Sequence, residues 1–129
     1  MSDALIQRLE AYREQGSVPC ALAFRIAEMS GTLPQAVREA ADRMGIRISE
    51  CQLGLFGYEL YGEKRWVRRL GAVPPSLAQS VRAACAEDRL TCAASWKVAD
   101  ERGVPRLLFG SVAESLDVRI SRCQLGCFD

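Results

Sequence analysis

The chain has 129 residues, of which 49% are hydrophobic and 26% are charged, and its 17 basic residues are offset by 16 acidic ones. These proportions are those of an ordinary folded protein and exclude disordered and fibrous classes. The resulting net charge of +1 excludes a protein held on nucleic acid or on an anionic membrane by bulk charge alone.

The residue pattern in the first part of the chain predicts three helices followed by a hairpin. Apolar residues at helical spacing mark the three helices, over residues 3–15, 20–30 and 34–44. Thr32 and Gln35 have the spacing of a capping box before the third helix. Residues 46–49 then alternate as a strand, and residues 55–61 are predicted to return as its partner.

The second part of the chain repeats the first. When Cys92 is placed on Cys20, an offset of 92 − 20 = 72, 13 of the 37 positions from Cys20 to Phe56 are identical without a gap. We therefore predict two units, residues 1–62 and 76–129, joined by a basic linker over residues 63–75. The second unit has a shortened hairpin. We expect the units to pack on each other, because a unit this small buries little apolar surface alone.

Both units carry a small residue, a glycine and a bulky apolar residue at the spacing A-x3-G-x5-hydrophobic. These residues are Ala27, Gly31 and Val37 in the first unit, and Ala99, Gly103 and Phe109 in the second. The spacing resembles that of helix-turn-helix and winged-helix proteins. The alanine allows two helices to cross closely, and the glycine provides the positive φ of the turn. The resemblance implies a mainly α fold with short β-hairpins, in which tandem winged-helix units pack as a pseudo-dimer.

The same resemblance implies a DNA-binding protein or transcriptional regulator, because such proteins place the third helix in the major groove of double-stranded DNA. Glutamine and arginine can read bases, and further basic residues can contact phosphates. The candidate nucleic-acid-binding residues are Gln35, Arg38, Arg43, Lys64, Arg65, Arg68, Arg69 and Arg106.

The acidic residues on the predicted third helices favour an alternative to DNA binding. Glu39 and Asp42 lie on the third helix of the first unit, where they oppose phosphates, and the equivalent helix of the second unit is neutral to acidic. The alternative is a protein–protein interaction module that binds another protein through its apolar faces. The linker likewise has two interpretations: a segment that crosses the DNA backbone, or a solvated connector whose Trp66 covers the interface between the units.

The chain contains six cysteines and no histidine. The absence of histidine excludes its acid–base chemistry, Cys–His pairs and mixed zinc sites. No glycine-rich phosphate loop or nucleophile elbow is present either. We therefore do not expect an enzyme. The opening segment is polar and no apolar run reaches the ~18 residues of a membrane span, so we expect a cytoplasmic protein without a membrane partner and with reduced thiols.

Four cysteines are repeated, as Cys20 with Cys92 and Cys51 with Cys123. One interpretation is that they are small buried apolar residues. The other is a metal or redox sensor, for which the candidate thiols are Cys85, Cys92, Cys123 and Cys127. Cys20 and Cys92 begin helices, whose N-termini lower the pKa of a thiol, and Cys127 is expected to be exposed. The C-x6-C and C-x3-C spacings are not typical of zinc sites, so we predict no cofactor and keep a metal on the cysteines as the alternative.

Overall fold

A computed structural model describes residues 3–62 and 65–129 of the chain. Within these residues the protein is mainly helical, with six α-helices, four three-residue strands and one 3-10 helix, Glu59–Tyr61. The elements of the first half are α1 Asp3–Glu10, β1 Ser17–Pro19, α2 Cys20–Ser30, α3 Pro34–Arg43 and β2 Arg47–Ser49. Those of the second half are α4 Pro75–Ala84, β3 Arg89–Thr91, α5 Cys92–Glu101, α6 Arg106–Ser115 and β4 Arg119–Ser121. None of the helices in these two ranges is both long and apolar enough to cross a bilayer.

The predicted helices are present, with two local differences. α1 ends at Glu10 instead of residue 15, because the following residues tighten into turns and Gly16 takes a positive φ of 74°. The capping box before α3 does not form. Leu33 is the residue that precedes the helix, and the buried Thr32 hydroxyl has no hydrogen-bond partner in the described part of the chain. In the second half Thr91 does cap α5, accepting a hydrogen bond from the Ala94 N–H at 3.1 Å.

The strands form two parallel pairs, so the prediction of β-hairpins was wrong. β1 pairs with β2, with Val18 opposite Ile48, and β3 pairs with β4 in the equivalent register. No strand forms over residues 55–61. The Cys51 N–H donates to the Phe56 carbonyl at 3.1 Å, which closes the chain after β2 into a tight loop. The partner of β2 is instead the short extended segment that leads into α2.

The loops that follow β2 and β4 exchange places between the halves. We call residues 51–57 the first exchanged loop and residues 123–129 the second. Cys51 and Leu53 are buried with the apolar residues of the second half. Leu125, which is fully buried, packs in the core of the first half. Each core is therefore completed by a residue from the other half of the chain.

Residues at equivalent positions of the repeat also contact each other directly. The rings of Phe24 and Trp96 are 4.6 Å apart between centroids. Those of Phe56 and Phe128 are 6.3 Å apart and nearly perpendicular, at 82°. Such aromatic pairs contribute beyond the area they bury. These four rings therefore link the two halves through matching positions.

Candidate functional site

α3 of the first half is engaged by the second exchanged loop. The Arg38 Nε donates to the Leu125 carbonyl at 2.7 Å, and its Nη1 donates to Asp42 at 2.6 Å. Gln35 is exposed, but its side chain also lies beside Gly126. Arg43 is exposed at the end of the helix. Arg38, one of the candidate base-contacting residues on α3, therefore makes its hydrogen bonds within the molecule.

α6 of the second half is covered more completely. Its residues 109–113 are all buried. Gly110 lies so close to the Leu53 carbonyl that a Cβ built on it would be 1.8 Å from that oxygen. The middle of α6 is therefore packed within the molecule, while Leu107 and Leu108 near its start are exposed.

Arg106, at the start of α6, is held between three partners. Its guanidinium pairs with Asp100 at 2.7 Å, donates to the Gln52 side chain at 3.0 Å and lies 4.0 Å from the centroid of the Trp96 ring. The hydrogen bond from Arg106 lowers the pKa of the exposed Asp100 carboxyl. Arg106 therefore joins the first exchanged loop to α5 and α6.

The linker lies along α6. The main-chain N–H of Arg68 donates to the Ser111 hydroxyl at 3.0 Å, and that of Leu70 donates to the Ser115 hydroxyl at 2.7 Å. The exposed side chains of the linker form ion pairs with acidic residues at this end of the second half, namely Arg65 with Glu114 at 3.4 Å and Arg69 with Asp117 at 3.2 Å. Lys64 lies outside the described residues. The side chains of Arg65 and Arg69 therefore face carboxylates of the same molecule.

Trp66 belongs to an exposed apolar surface that was not singled out in the sequence. The main-chain N–H of Trp66 donates to the Gly54 carbonyl at 2.8 Å. The centroid of its ring is 6.2 Å from that of the Tyr61 ring. Leu107 and Trp66 both lie over Gly54. Tyr61 is 55% exposed, and Trp66 and Leu107 are each 38% exposed. We call these three side chains the aromatic patch; the fold brings Leu107, which is distant in the sequence, to Gly54 beside Trp66.

Three of the repeated cysteines are buried, as the packing interpretation expects. Burial raises the pKa of the Cys20 thiol to about 12 and also raises that of Cys51 and Cys92. The expectation that a helix N-terminus makes Cys20 and Cys92 reactive was therefore wrong. At these positions the loss of solvation outweighs the helix dipole.

The second exchanged loop brings two thiols together. The side chains of Cys123 and Cys127 are in contact, and this contact lowers the pKa of Cys123 to about 6, with burial opposing it. The same contact raises the pKa of Cys127. Cys127 is exposed, as expected, and Cys123 is half-buried. The C-x3-C spacing is the signal in the sequence that corresponds to this contact.

The other candidate thiols do not join this pair as metal ligands. Cys85 lies at the end of α4, where its thiol donates to the Val81 carbonyl at 3.1 Å. Across residues 3–62 and 65–129, no group of three or more Cys, Asp or Glu side chains is arranged to hold a metal ion. Of the four cysteines proposed as a metal or redox site, the structure brings Cys123 and Cys127 into contact, while Cys85 lies at the end of α4.

A scan against protein-family models, a search of curated proteins and a search of solved structures each find no match for this chain. The likeness to winged-helix proteins accordingly stays a resemblance in sequence spacing and in the order of the helices.

Proposed function

We propose that this chain is a protein-interaction module, formed by two helix-turn-helix-like units that pack as a pseudo-dimer within one molecule. The observation that carries the proposal is the aromatic patch of Tyr61, Trp66 and Leu107, whose exposed fractions range from 38% to 55%. Tryptophan, tyrosine and arginine are enriched where proteins bind each other. A contiguous exposed apolar surface with a polar rim is a typical mark of such a site.

The rim of the patch favours a protein over a nucleic acid. The Tyr61 hydroxyl donates to the Glu50 carboxylate at 2.9 Å, and the Arg68 guanidinium lies 6.0 Å from the Trp66 ring. Both signs of charge therefore surround the apolar centre. A mixed rim suits the mixed charges of a protein surface, whereas a nucleic-acid site is lined by cations.

The contacts of the candidate DNA-binding residues support the same choice. Four of the candidate arginines form ion pairs with carboxylates of this chain, namely Arg38, Arg65, Arg69 and Arg106. Each pair reduces the positive field available to phosphates. DNA binding remains a prediction from the helix-turn-helix resemblance, and the internal contacts of α3 and α6 do not favour it.

The pseudo-dimer part of the proposal is supported by how the repeat packs. Helix, strand, helix, helix and strand follow one another in both halves. Facing contacts between equivalent residues, such as Phe24 with Trp96, are expected where two copies are related by a two-fold axis. The exchanged loops give the same reciprocal pattern, since Leu53 enters one core and Leu125 the other.

The experiment is affinity capture with the full chain from an extract of the cells that encode it. Trp66→Ser and Tyr61→Ser are compared with Leu33→Ser, a control that removes a leucine that is 74% exposed in the turn before α3. We expect a partner retained by the wild type and by Leu33→Ser and lost with both patch variants. Thermal unfolding of each variant separates loss of binding from loss of the fold.

Two results would overturn the proposal. One is equal capture of every retained protein by the wild type and by both patch variants. The other is a shift of duplex DNA at low salt that neutralising Arg65, Arg68 and Arg69 abolishes, since the affinity would then come from phosphate contacts.

A further inference from the structure

The second exchanged loop has a backbone that holds its two thiols in contact. The Gly126 N–H donates to the Cys123 carbonyl at 2.9 Å, and the Cys123 N–H donates to the Phe128 carbonyl at 3.1 Å. Arg122 and Gly126 both have positive φ, of 51° and 81°. These bonds fold the chain back on itself between the cysteines. The two side chains consequently lie in contact.

Main-chain N–H groups add to this contact. Those of Leu125, Gly126 and Cys127 face the Cys123 sulfur and lower the pKa of its thiol, in addition to the hydrogen bond from the Cys127 side chain. A ring of N–H donors stabilises a negative charge. Cys123 is thus held as the nucleophilic member of the pair and Cys127 as the protonated one.

The first exchanged loop is a natural comparison. Its N–H groups at Leu53, Gly54 and Leu55 face the sulfur of Cys51 in the same way. Position 55 carries leucine where position 127 carries cysteine, so the first loop lacks a partner thiol and burial raises the pKa of Cys51. The repeat therefore offers one loop with a thiol pair and one without.

Small molecules can reach Cys127 from solvent, and its partner thiol is partly exposed. Cys127 is exposed and lines an open cavity of about 560 Å³ together with Phe56, Arg119 and Phe128. Cys123 is half-buried. A compact oxidant is the kind of reagent that such a position admits.

We propose that Cys123 and Cys127 form a reversible intramolecular disulfide when a hydroperoxide oxidises them. The Cys123 thiolate attacks the terminal peroxide oxygen, an S–O bond forms as the O–O bond breaks, and the alkoxide leaves as an alcohol after taking a proton. The Cys127 sulfur then attacks the Cys123 sulfur, the S–O bond breaks, and hydroxide leaves with the Cys127 proton as water. Two thiols lose two electrons and the peroxide gains them; a dithiol reverses the reaction.

The test treats the full chain with stoichiometric hydrogen peroxide, unfolds it in urea, blocks free thiols with N-ethylmaleimide and maps peptides after trypsin. Cleavage after Arg122 releases residues 123–129, which contain both cysteines and no other. We expect this peptide to lose both alkylation sites and to regain them after dithiothreitol. Cys85 and Cys51 should stay alkylated. Full alkylation of residues 123–129 after peroxide, or oxidation spread equally over all cysteines, would overturn the proposal.

Two variants identify the order of events. Cys127→Leu copies the first loop, so we expect no disulfide and a sulfenic acid on Cys123 that a 1,3-dione traps. Cys85→Ser is the matched control, because it removes a partly exposed thiol elsewhere and should leave the disulfide intact. The assigned roles would be contradicted if the 1,3-dione were found on Cys127 of the wild type and not on Cys123 of Cys127→Leu.

Discussion

Positions 38 and 110 are equivalent in the repeat, yet their residues make different kinds of contact. In the first half the Arg38 side chain donates to the Leu125 carbonyl at 2.7 Å. In the second half Gly110 leaves room for the Leu53 carbonyl, which occupies the space that a Cβ would need. One side is joined by a charged hydrogen bond and the other by close backbone packing.

Gly110→Ala should therefore destabilise the protein. The new methyl group would overlap a backbone oxygen, and overpacking of this kind costs about 1–3 kcal/mol. Urea unfolding measures the change. Gly71→Ala is the control, because no atom lies within 4 Å of a Cβ at that position. Equal unfolding midpoints for the two variants would show that the loop moves aside without cost.

A second prediction at the residue scale concerns the thiol of Cys123. The hydrogen bond from Cys127 lowers the pKa of Cys123 to about 6, so the thiolate persists at neutral pH and is lost as the pH falls through that value. The alkylation rate of Cys123 by iodoacetamide should reach half of its plateau near pH 6 and shift upward in Cys127→Leu. Mass spectrometry of residues 123–129 at a series of pH values measures it.

The groups that face this pair come from both halves. The thiols of Cys20, Cys51 and Cys92 are close enough to oppose a negative charge on Cys123, and Arg38 favours one on Cys127. An alkylation rate for Cys123 that still rises steeply above pH 8 would mean that burial outweighs the hydrogen bonds.

At the scale of elements, the linker is fixed on α6 mainly by its backbone. Ser111 is buried and accepts the Arg68 N–H, while the ion pairs of Arg65 and Arg69 are exposed. Exposed ion pairs contribute little to stability. A buried hydroxyl that accepts a backbone N–H contributes about 1 kcal/mol.

We therefore expect Ser111→Ala to lower the free energy of unfolding by about 1 kcal/mol. Arg65→Gln combined with Arg69→Gln should leave it almost unchanged. Differential scanning calorimetry of the two variants compares these effects at one ionic strength. A larger loss from the arginine variant would mean that its ion pairs hold the linker in place.

The helices of this protein could be predicted from its sequence, whereas the strand pairing and the exchange of the loops could not. Helical periodicity located α2 and α3 and their counterparts, because each buries one continuous stripe. Ile48 was placed on a strand by alternation, but its partner Val18 lies in a three-residue segment too short to show a period. The pairing of β2 and the exchange of the loops depend on contacts between distant residues, which no local pattern contains. For the same reason Tyr61 and Leu107 could not be combined into one surface.

At the scale of the whole molecule, each half depends on the other for its core. Leu125→Ala should lower the free energy of unfolding by about 2–5 kcal/mol, as for other fully buried leucines. The loss should destabilise both halves together, although Leu125 packs in the core of the first half only. Tryptophan fluorescence and far-UV circular dichroism should follow one coincident urea transition. Leu108→Ala, which removes a leucine that is 45% exposed, is the control.

Two separate transitions in Leu125→Ala would contradict this expectation, because they would mean that the halves unfold independently. A small effect, equal to that of Leu108→Ala, would mean that Leu125 is replaceable in the first core.

The joining of the two halves in one chain has a consequence for how their contacts can diverge. A homodimer encoded by a single unit must accept every substitution at two places at once. Here a change occurs at one place only, so Phe24 can face a tryptophan, and Arg38 can have a glycine as its counterpart. The same freedom allows a cysteine at position 127 and a leucine at position 55. One molecule thereby carries two versions of the same loop, one with two cysteines and one with a single cysteine.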